Sequence, residues 1–334
     1  MNWERIFYPN TTTEKVVSNA LLPLSWIYAA GWKTYEKLYQ FRILHPKRFS
    51  IAILCVGSLE AGGSGKTPMT IALAKILQKE GSRVAVSCSG YKSSFAKGAN
   101  TAPFTKNLDP EKYGDEASLI RRKLPEVGLI VGSDRVRAAE LAETLDYRIL
   151  ILDDGFQHLR LHRNINLLMW TESTKKSRCL PAGPLREPIS GIHRADALIV
   201  PENCSHGFDG INKTTFTFEK RFPAVRNLST NEIIEVNWLK DRNVNAACAI
   251  GKPTQFFETL EALGAHVERK IVRGDHAWLE TLTESTLPYV VTEKDAVKLE
   301  KHHLPRCGVY ALEMEMKFND EENLTKWLRE RINL

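Results

Sequence analysis

An apolar run, a glycine-rich turn and a Lys-Thr pair follow one another in residues 51–70, IAILCVGSLEAGGSGKTPMT, and few architectures accept that order. Ile51 to Val56 predicts a buried strand. Gly62, Gly63, Ser64 and Gly65 predict a turn whose backbone N–H groups are not screened by Cβ atoms. Lys66 and Thr67 then open a helix, whose unpaired N–H groups and dipole favour an anion. In such a cradle Lys66 reaches the β- and γ-phosphates of a nucleoside triphosphate and the Thr67 hydroxyl meets Mg²⁺. The strict pattern G-x-x-x-x-G-K-[ST] asks for glycine at position 60, where this chain has Glu60. Position 61, a lysine in the partition-type ATPase variant, is Ala61.

Strand and helix signals alternate after the cradle. Residues 83–88, 128–132, 148–154, 164–170 and 195–200 read as strands, with helices over 68–81, 114–123 and from Asp134 to about Thr144. That alternation predicts an α/β protein with a P-loop NTPase-like, mostly parallel sheet covered by helices. Further strands at 245–251, 266–272, 289–292 and 307–314, with helices over 253–263 and 319–331, predict a second, smaller α/β domain. The expected organisation is an N-terminal helical segment 1–50, a kinase-like domain 51–204, a connecting segment 205–240 and a C-terminal domain 241–334.

The N-terminal segment is basic, with seven Lys/Arg against three Glu in residues 1–50 of a chain whose net charge is +6. Val16 to Trp32 holds no charge, but Ser18, Asn19, Pro23 and Ser25 interrupt it, and Lys33, Lys37, Arg42, Lys47 and Arg48 follow. It suits a helix lying on an anionic membrane surface better than a spanning one. A helix packed on the protein's own core is the other reading. No cleavable signal peptide is evident. Basic clusters interleaved with aromatics are lacking, which argues against nucleic acid as a partner. Six cysteines occur singly without C-x-x-C pairing, as in a reducing compartment without a disulfide framework or zinc site.

Asp153 and Asp154 end the apolar strand RILILDD, where a P-loop fold holds its Mg²⁺-linked aspartate; a D-D-G surface turn is the plainer alternative. Asp115, in Gly114-Asp115-Glu116, is placed to cap a helix. His276 stands beside Asp275 and could orient or tune a base. Arg186 and Glu187 sit between prolines, where an arginine could clamp a phosphate. Thr292-Glu293-Lys294-Asp295 reads as a helix start.

In order, GGSGKTP (62–68), SGYK (89–92), GDE (114–116), LDDGFQH (152–158), LPAGPLREP (180–188), GDH (274–276) and TEKDAVKL (292–299) resemble the tetraacyldisaccharide 4′-kinase family of lipid A biosynthesis. The resemblance spans about residues 17–300, with LLPLSWIY matching the family's N-terminal apolar helix. It implies transfer of the ATP γ-phosphate to the 4′-hydroxyl of an acylated glucosamine disaccharide 1-phosphate, in a cleft between two domains. It implies a place at the cytoplasmic face of the bacterial inner membrane, with that lipid and the anionic inner leaflet as partners and no obligatory protein partner. By the same likeness Asp115 is the base and His276 its dyad partner. Gly62 to Thr67 bind ATP; Thr67, Asp153, Asp154 and Glu187 serve Mg²⁺; Tyr91 and Arg186 face the sugar phosphate. Ser89 stands where the family carries arginine, and Glu60 where it carries threonine or serine.

Two other classes compete. A nucleotide switch such as a GTP-binding metallochaperone would carry a guanine-reading N-K-x-D-like motif, and TEKD (292–295) lacks the asparagine. A kinase of a soluble small molecule has no use for an apolar N-terminal helix backed by basic residues.

Overall fold

Strand β1 (Ala52–Ser58), the apolar run ahead of the glycines, lies mid-sheet and is buried from Ile53 onward. The computed structural model describes residues 6–8, 11–105, 107–204, 211–274, 277, 282–299 and 304–332. With β2 (Val84–Cys88), β3 (Asn100–Thr101), β4 (Gly128–Val131), β5 (Ile149–Asp153), β6 (Ile165–Met169), β7 (Ala197–Pro201) and β8 (Thr214–Arg221), β1 builds most of a nine-stranded sheet. Its order is β15-β8-β7-β6-β1-β5-β2-β4-β3, with β15 (Glu315–Phe318) arriving from near the C-terminus. From β8 to β4 neighbours run parallel, and antiparallel β15 and β3 close the two edges. The register sets Val56 beside Asp153 and Ser58 beside Met169, so β1 releases its loop next to the carboxyl end of β5. Ligands of open α/β sheets bind at such carboxyl ends.

Successive side chains of β1 feed two cores. Leu54 and Val56 face the helix Lys66–Lys79, and Ile53 and Cys55 face the opposite layer with Ala138, Ala139 and Trp170. The helix buries Met69, Ile71, Leu73, Ile76 and Leu77, each worth roughly 1.5–3 kcal/mol of transfer free energy. Gly81, at φ +78, ends it. Cys55, Cys88 and Cys248 are buried strand residues that pack as small apolar groups.

A six-stranded sheet forms the smaller unit, in the order β10-β9-β14-β13-β11-β12. Its members are β9 (Ala224–Asn227), β10 (Ile233–Glu235), β11 (Asn243–Cys248), β12 (His266–Val272), β13 (Tyr289–Thr292) and β14 (Val309–Leu312). Strands β14, β13, β11 and β12 are parallel. Edge strand β12 carries His266, Glu268, Arg269 and Lys270, charges that discourage pairing with another chain. The sheets divide the chain differently from the expected organisation. Within 205–240, β8 joins the large sheet while β9 and β10 join the small one; within 241–334, β15 and the helix Glu321–Ile332 return to the large core through Phe318, Leu324, Trp327 and Leu328.

The apolar N-terminal stretch is two helices, Thr12–Ala20 and Leu22–Gln40, with Pro23 in the first turn of the second. The second helix turns its polar side inward. Ser25 Oγ donates to Cys179 O at 2.8 Å, Trp32 Nε1 donates to Glu187 Oε2 at 3.1 Å, Tyr28 donates to Arg186 O, and Glu36 pairs with Arg194. Trp26 and Ile27 are 67% and 69% exposed, and Phe41 and Ile43 just beyond are 71% and 65% exposed. Among the described residues no helix is long and apolar enough to cross a membrane.

Candidate active site

Gly62 and Gly65 adopt φ of +89 and +79, the left-handed region that a side chain makes costly. Gly65 delivers the chain directly into the helix that starts at Lys66, and a Cβ on it would lie 2.9 Å from Met316 Cε. Lys66 Nζ donates to Ser64 Oγ at 3.0 Å and stands 3.6 Å from Asp154 Oδ1. Thr67 donates to Asp153 Oδ2 at 2.7 Å and Thr70, one turn along, to Asp153 Oδ1 at 3.1 Å. The sequence therefore brings Lys66, Thr67, Asp153 and Asp154 together as expected for the end of β5, not as a surface turn.

The two aspartates are pushed in opposite directions. Burial pushes Asp153 up, the neighbouring Glu116 carboxylate adds to the rise, and despite the Thr67 hydrogen bond the group reaches about 7. Burial also raises Asp154, but Lys66 and then Arg186, which donates to it at 2.6 Å, outweigh burial and hold it below the usual aspartate value. Arg135, 2% exposed, donates to Asp153 O at 2.7 Å, Ser87 Oγ at 2.9 Å and Gly132 O at 3.2 Å, tying the ends of β5, β2 and β4 together.

A hydroxyl and a buried carboxylate whose charge lacks full compensation form a hard-oxygen donor set that fits Mg²⁺. Among the described residues no group of three or more His, Cys, Asp or Glu side chains could enclose a metal, so phosphate oxygens and water would complete the shell, as Mg²⁺ ordinarily requires. Glu187 has partners of its own. It is 0% exposed; Gln157 donates to it at 2.7 Å, Trp32 at 3.1 Å, and Arg194 pairs with it. Burial raises its pKa, and the Arg194 charge opposes that rise. In this structure the Glu187 carboxylate is engaged by these three donors. Glu60 likewise turns from the cradle: it bridges to Leu185, and its carboxylate accepts from Ser177 at 3.3 Å and Tyr8 at 3.4 Å.

The segment 180–187 reaches the cradle through main-chain bonds, Ala61 N to Pro184 O and Arg186 N to Leu59 O, both 2.8 Å. Those bonds aim the Arg186 guanidinium at Asp154. Tyr91 is 55% exposed on the cleft wall, and Ser89 donates to Glu116 at 3.5 Å. Gly90 (φ +59) and Gly114 (φ +92) touch: a Cβ on Gly114 would sit 3.3 Å from Gly90 Cα. That contact docks the SGYK turn on the GDE turn.

Asp115 starts the helix Asp115–Lys123, 4% exposed, and accepts from Glu116 N at 3.0 Å. Lys298 and Lys294 of the helix Glu293–Leu299 lie 3.2 and 3.7 Å from its Oδ2. His276, its expected dyad partner, lies outside the described residues. At the far end of the same helix Lys123 is gripped by Glu293 and Glu313, and Glu313 also accepts from Arg226 at 3.0 Å. Sequence reasoning missed both lysines on Asp115, although their i, i+4 spacing in TEKDAVKL puts them on one helix face. It also missed Thr70, a turn from Thr67, and Arg135, whose buried position leaves no local signature.

These elements enclose a cleft of about 830 Å³ between the large sheet and the smaller unit. Its wall includes the cradle, Asp154, Arg186, Glu116 and Lys294. A strand–loop–lysine cradle, a Thr–Asp pair and a mobile-substrate-sized cleft are what phosphoryl transfer needs in positioning and charge neutralisation.

Comparison with known proteins identifies a family. The model of the family described as Tetraacyldisaccharide-1-P 4′-kinase matches residues 17–333. The tetraacyldisaccharide 4′-kinase of Aquifex aeolicus is 35% identical over 316 residues, 93% of this chain and 98% of that relative. The enzyme of the same description from Legionella pneumophila (strain Corby) is 32% identical over 322 residues, covering 95% of this chain and 93% of its own length. The crystal structure of the Aquifex aeolicus protein in complex with ATP superposes with a TM-score of 0.82 at 34% identity, over 95% of this chain and 99% of that one.

Proposed function

The chain belongs to the tetraacyldisaccharide-1-phosphate 4′-kinase family, and from that premise we propose how its residues carry out ATP-dependent phosphorylation of the 4′-hydroxyl of a tetraacylated glucosamine disaccharide 1-phosphate. One observation carries the reading: Lys66 and Thr67 open the cradle helix against Asp154 and Asp153, on a cleft that the smaller unit also walls.

The main-chain N–H groups of Gly62 to Thr67 and the Lys66 ammonium bind the triphosphate. Thr67 and Asp153 would hold Mg²⁺, and Asp154 orients Lys66 and Arg186 through its two oxygens. When bound, the ion would neutralise charge on the phosphate oxygens. Asp115 accepts the proton of the 4′-hydroxyl as its oxygen bonds to the γ-phosphorus and the bond to the ADP oxygen breaks. His276 is its partner in that step. Arg186 and Tyr91 contact the sugar phosphate. Closing the smaller unit over the cleft excludes water and suppresses ATP hydrolysis.

The exposed ridge of Leu24, Trp26 and Ile27, with exposed Lys33, Lys37, Arg42, Lys47 and Arg48 following, supports seating on the anionic inner leaflet at the cytoplasmic face of the inner membrane. The inward polar side of that helix favours this reading over packing on the protein's own core. The test is transfer from γ-labelled ATP to tetraacyldisaccharide 1-phosphate in mixed micelles, against the deacylated disaccharide phosphate. Transfer confined to the acylated acceptor and lost in Lys66→Ala is the expected result. Equal rates on both acceptors, or full turnover in Lys66→Ala, would overturn it.

A further inference from the structure

Lys298 is 4% exposed, unusual for a side chain that seldom leaves water. Burying an ammonium is costly without a charged partner. Its Nζ stands 3.2 Å from Asp115 Oδ2, and it also donates to Ala277 O at 3.3 Å. Those partners belong to different elements. Asp115 begins a helix packed on the large sheet, whereas Ala277, whose N–H donates to Gly274 O at 2.9 Å, lies past β12 of the smaller unit. Ala277 is the residue directly after His276 in sequence. One ammonium therefore links the carboxylate proposed as the base to the main chain at Ala277.

The surrounding charges strengthen the inference. Lys294, one helical turn before Lys298, approaches the same Oδ2 at 3.7 Å but is 22% exposed on its side chain and reaches the cleft wall. Glu293 begins that helix and grips Lys123, at the other end of the helix that Asp115 starts. The two helices are thus pinned at both ends by pairs of opposite polarity. The Asp115–Lys298 pair is the more deeply withdrawn from solvent of the two, and there an ion pair is least screened.

We propose that Lys298 is a positioning residue for phosphoryl transfer, fixing Asp115 and Ala277 in one arrangement when the smaller unit closes over the cleft. The inference rests on Asp115 being the base. A carboxylate misplaced by about 1 Å loses on the order of a hundredfold in rate, while the triphosphate, held by the cradle, does not sense Lys298.

The test is steady-state kinetics of Lys298→Met, Lys298→Arg, Asp115→Asn and the double variant Asp115→Asn/Lys298→Met, each checked by thermal melting. Lys298→Met should lower kcat roughly a hundredfold with KM for ATP within about threefold of the parent, and Lys298→Arg should restore most of the loss. In the double variant the rate should lie within about threefold of Asp115→Asn alone, because Lys298 acts through that carboxylate. A Lys298→Met enzyme with undiminished kcat overturns the proposal, as do losses that multiply in the double variant. If Lys298→Met does not fold, Lys298→Gln takes its place with the same thresholds. Full activity in Asp115→Asn removes the base assignment and the proposal together. An inactive Asp115→Asn beside an active Lys298→Met removes only the proposal.

Discussion

The Thr67 hydroxyl donates to Asp153 Oδ2 at 2.7 Å, joining the first turn of the cradle helix to the end of β5 across the cleft floor. The carboxylate that receives it is the one whose pKa is raised to about 7, by burial first and Glu116 second. A carboxyl raised in the folded state keeps a proton that the unfolded chain gives up near 3.8. This group therefore opposes folding increasingly as pH rises from its unfolded value to about 7, and a bound cation reverses that effect.

Mg·ATP binding should accordingly release a proton. Calorimetry in buffers of different ionisation enthalpy should find about one proton released near pH 6 and close to none above about pH 8. Asp153→Asn should abolish the difference between buffers. A release unchanged across that range would remove the role given to Asp153.

Glu187 should behave as a structural carboxylate. Glu187→Gln leaves the buried Arg194 with only Glu36 among the carboxylates it pairs with, and breaking a buried pair costs about 3–5 kcal/mol. The variant should melt earlier and bind vesicles less well, because Trp32 loses its charged acceptor. Its Mg²⁺ concentration dependence should match the parent's, whereas that of Asp153→Asn should not. A Mg²⁺ dependence shifted tenfold in Glu187→Gln would support the metal role.

Trp26 and Ile27 touch water, so Trp26→Ser/Ile27→Ser should leave the melting temperature unchanged, with an effect within about 0.5 kcal/mol. Each side chain contributes roughly 1.5–3 kcal/mol when buried in an apolar phase. Flotation with anionic vesicles should therefore show binding weakened by tenfold or more. Equal flotation of both proteins would mean another surface meets the lipid.

Lys123 ties the two units together. Lys123→Met strands the buried Glu293 and leaves Glu313 with Arg226, so a loss of about 3–5 kcal/mol is expected in denaturant unfolding. Lys123→Met/Glu293→Gln should recover part of it, since the stranded charge is gone. Should the single variant unfold like the parent, the Lys123 pairs do not hold the two units together.

The centre of the large sheet was legible because its signals are local. Ile51–Val56 and ILIL (149–152) are continuous apolar runs, and glycines mark the turn that a phosphate cradle needs. The rest depended on partners distant along the chain. Nothing near Glu187 announces Trp32, which lies 155 positions away. Lys298 meets Asp115 only because β13 and β14 carry its helix against the large unit. The short strands β3, β10 and β15 carry too few residues for a period to show, and β15 pairs with β8 across most of the second unit.

That last pairing bears on biogenesis. The nucleotide-holding sheet lacks one edge until residues 315–318 have left the ribosome, so the P-loop half must wait, with β8 unpaired on its outer side, while the whole inserted unit is made. Such late, long-range closure slows maturation and exposes a sticky edge meanwhile. Removing the terminal stretch that bears β15, Trp327 and Leu328 would therefore harm the half of the molecule made first.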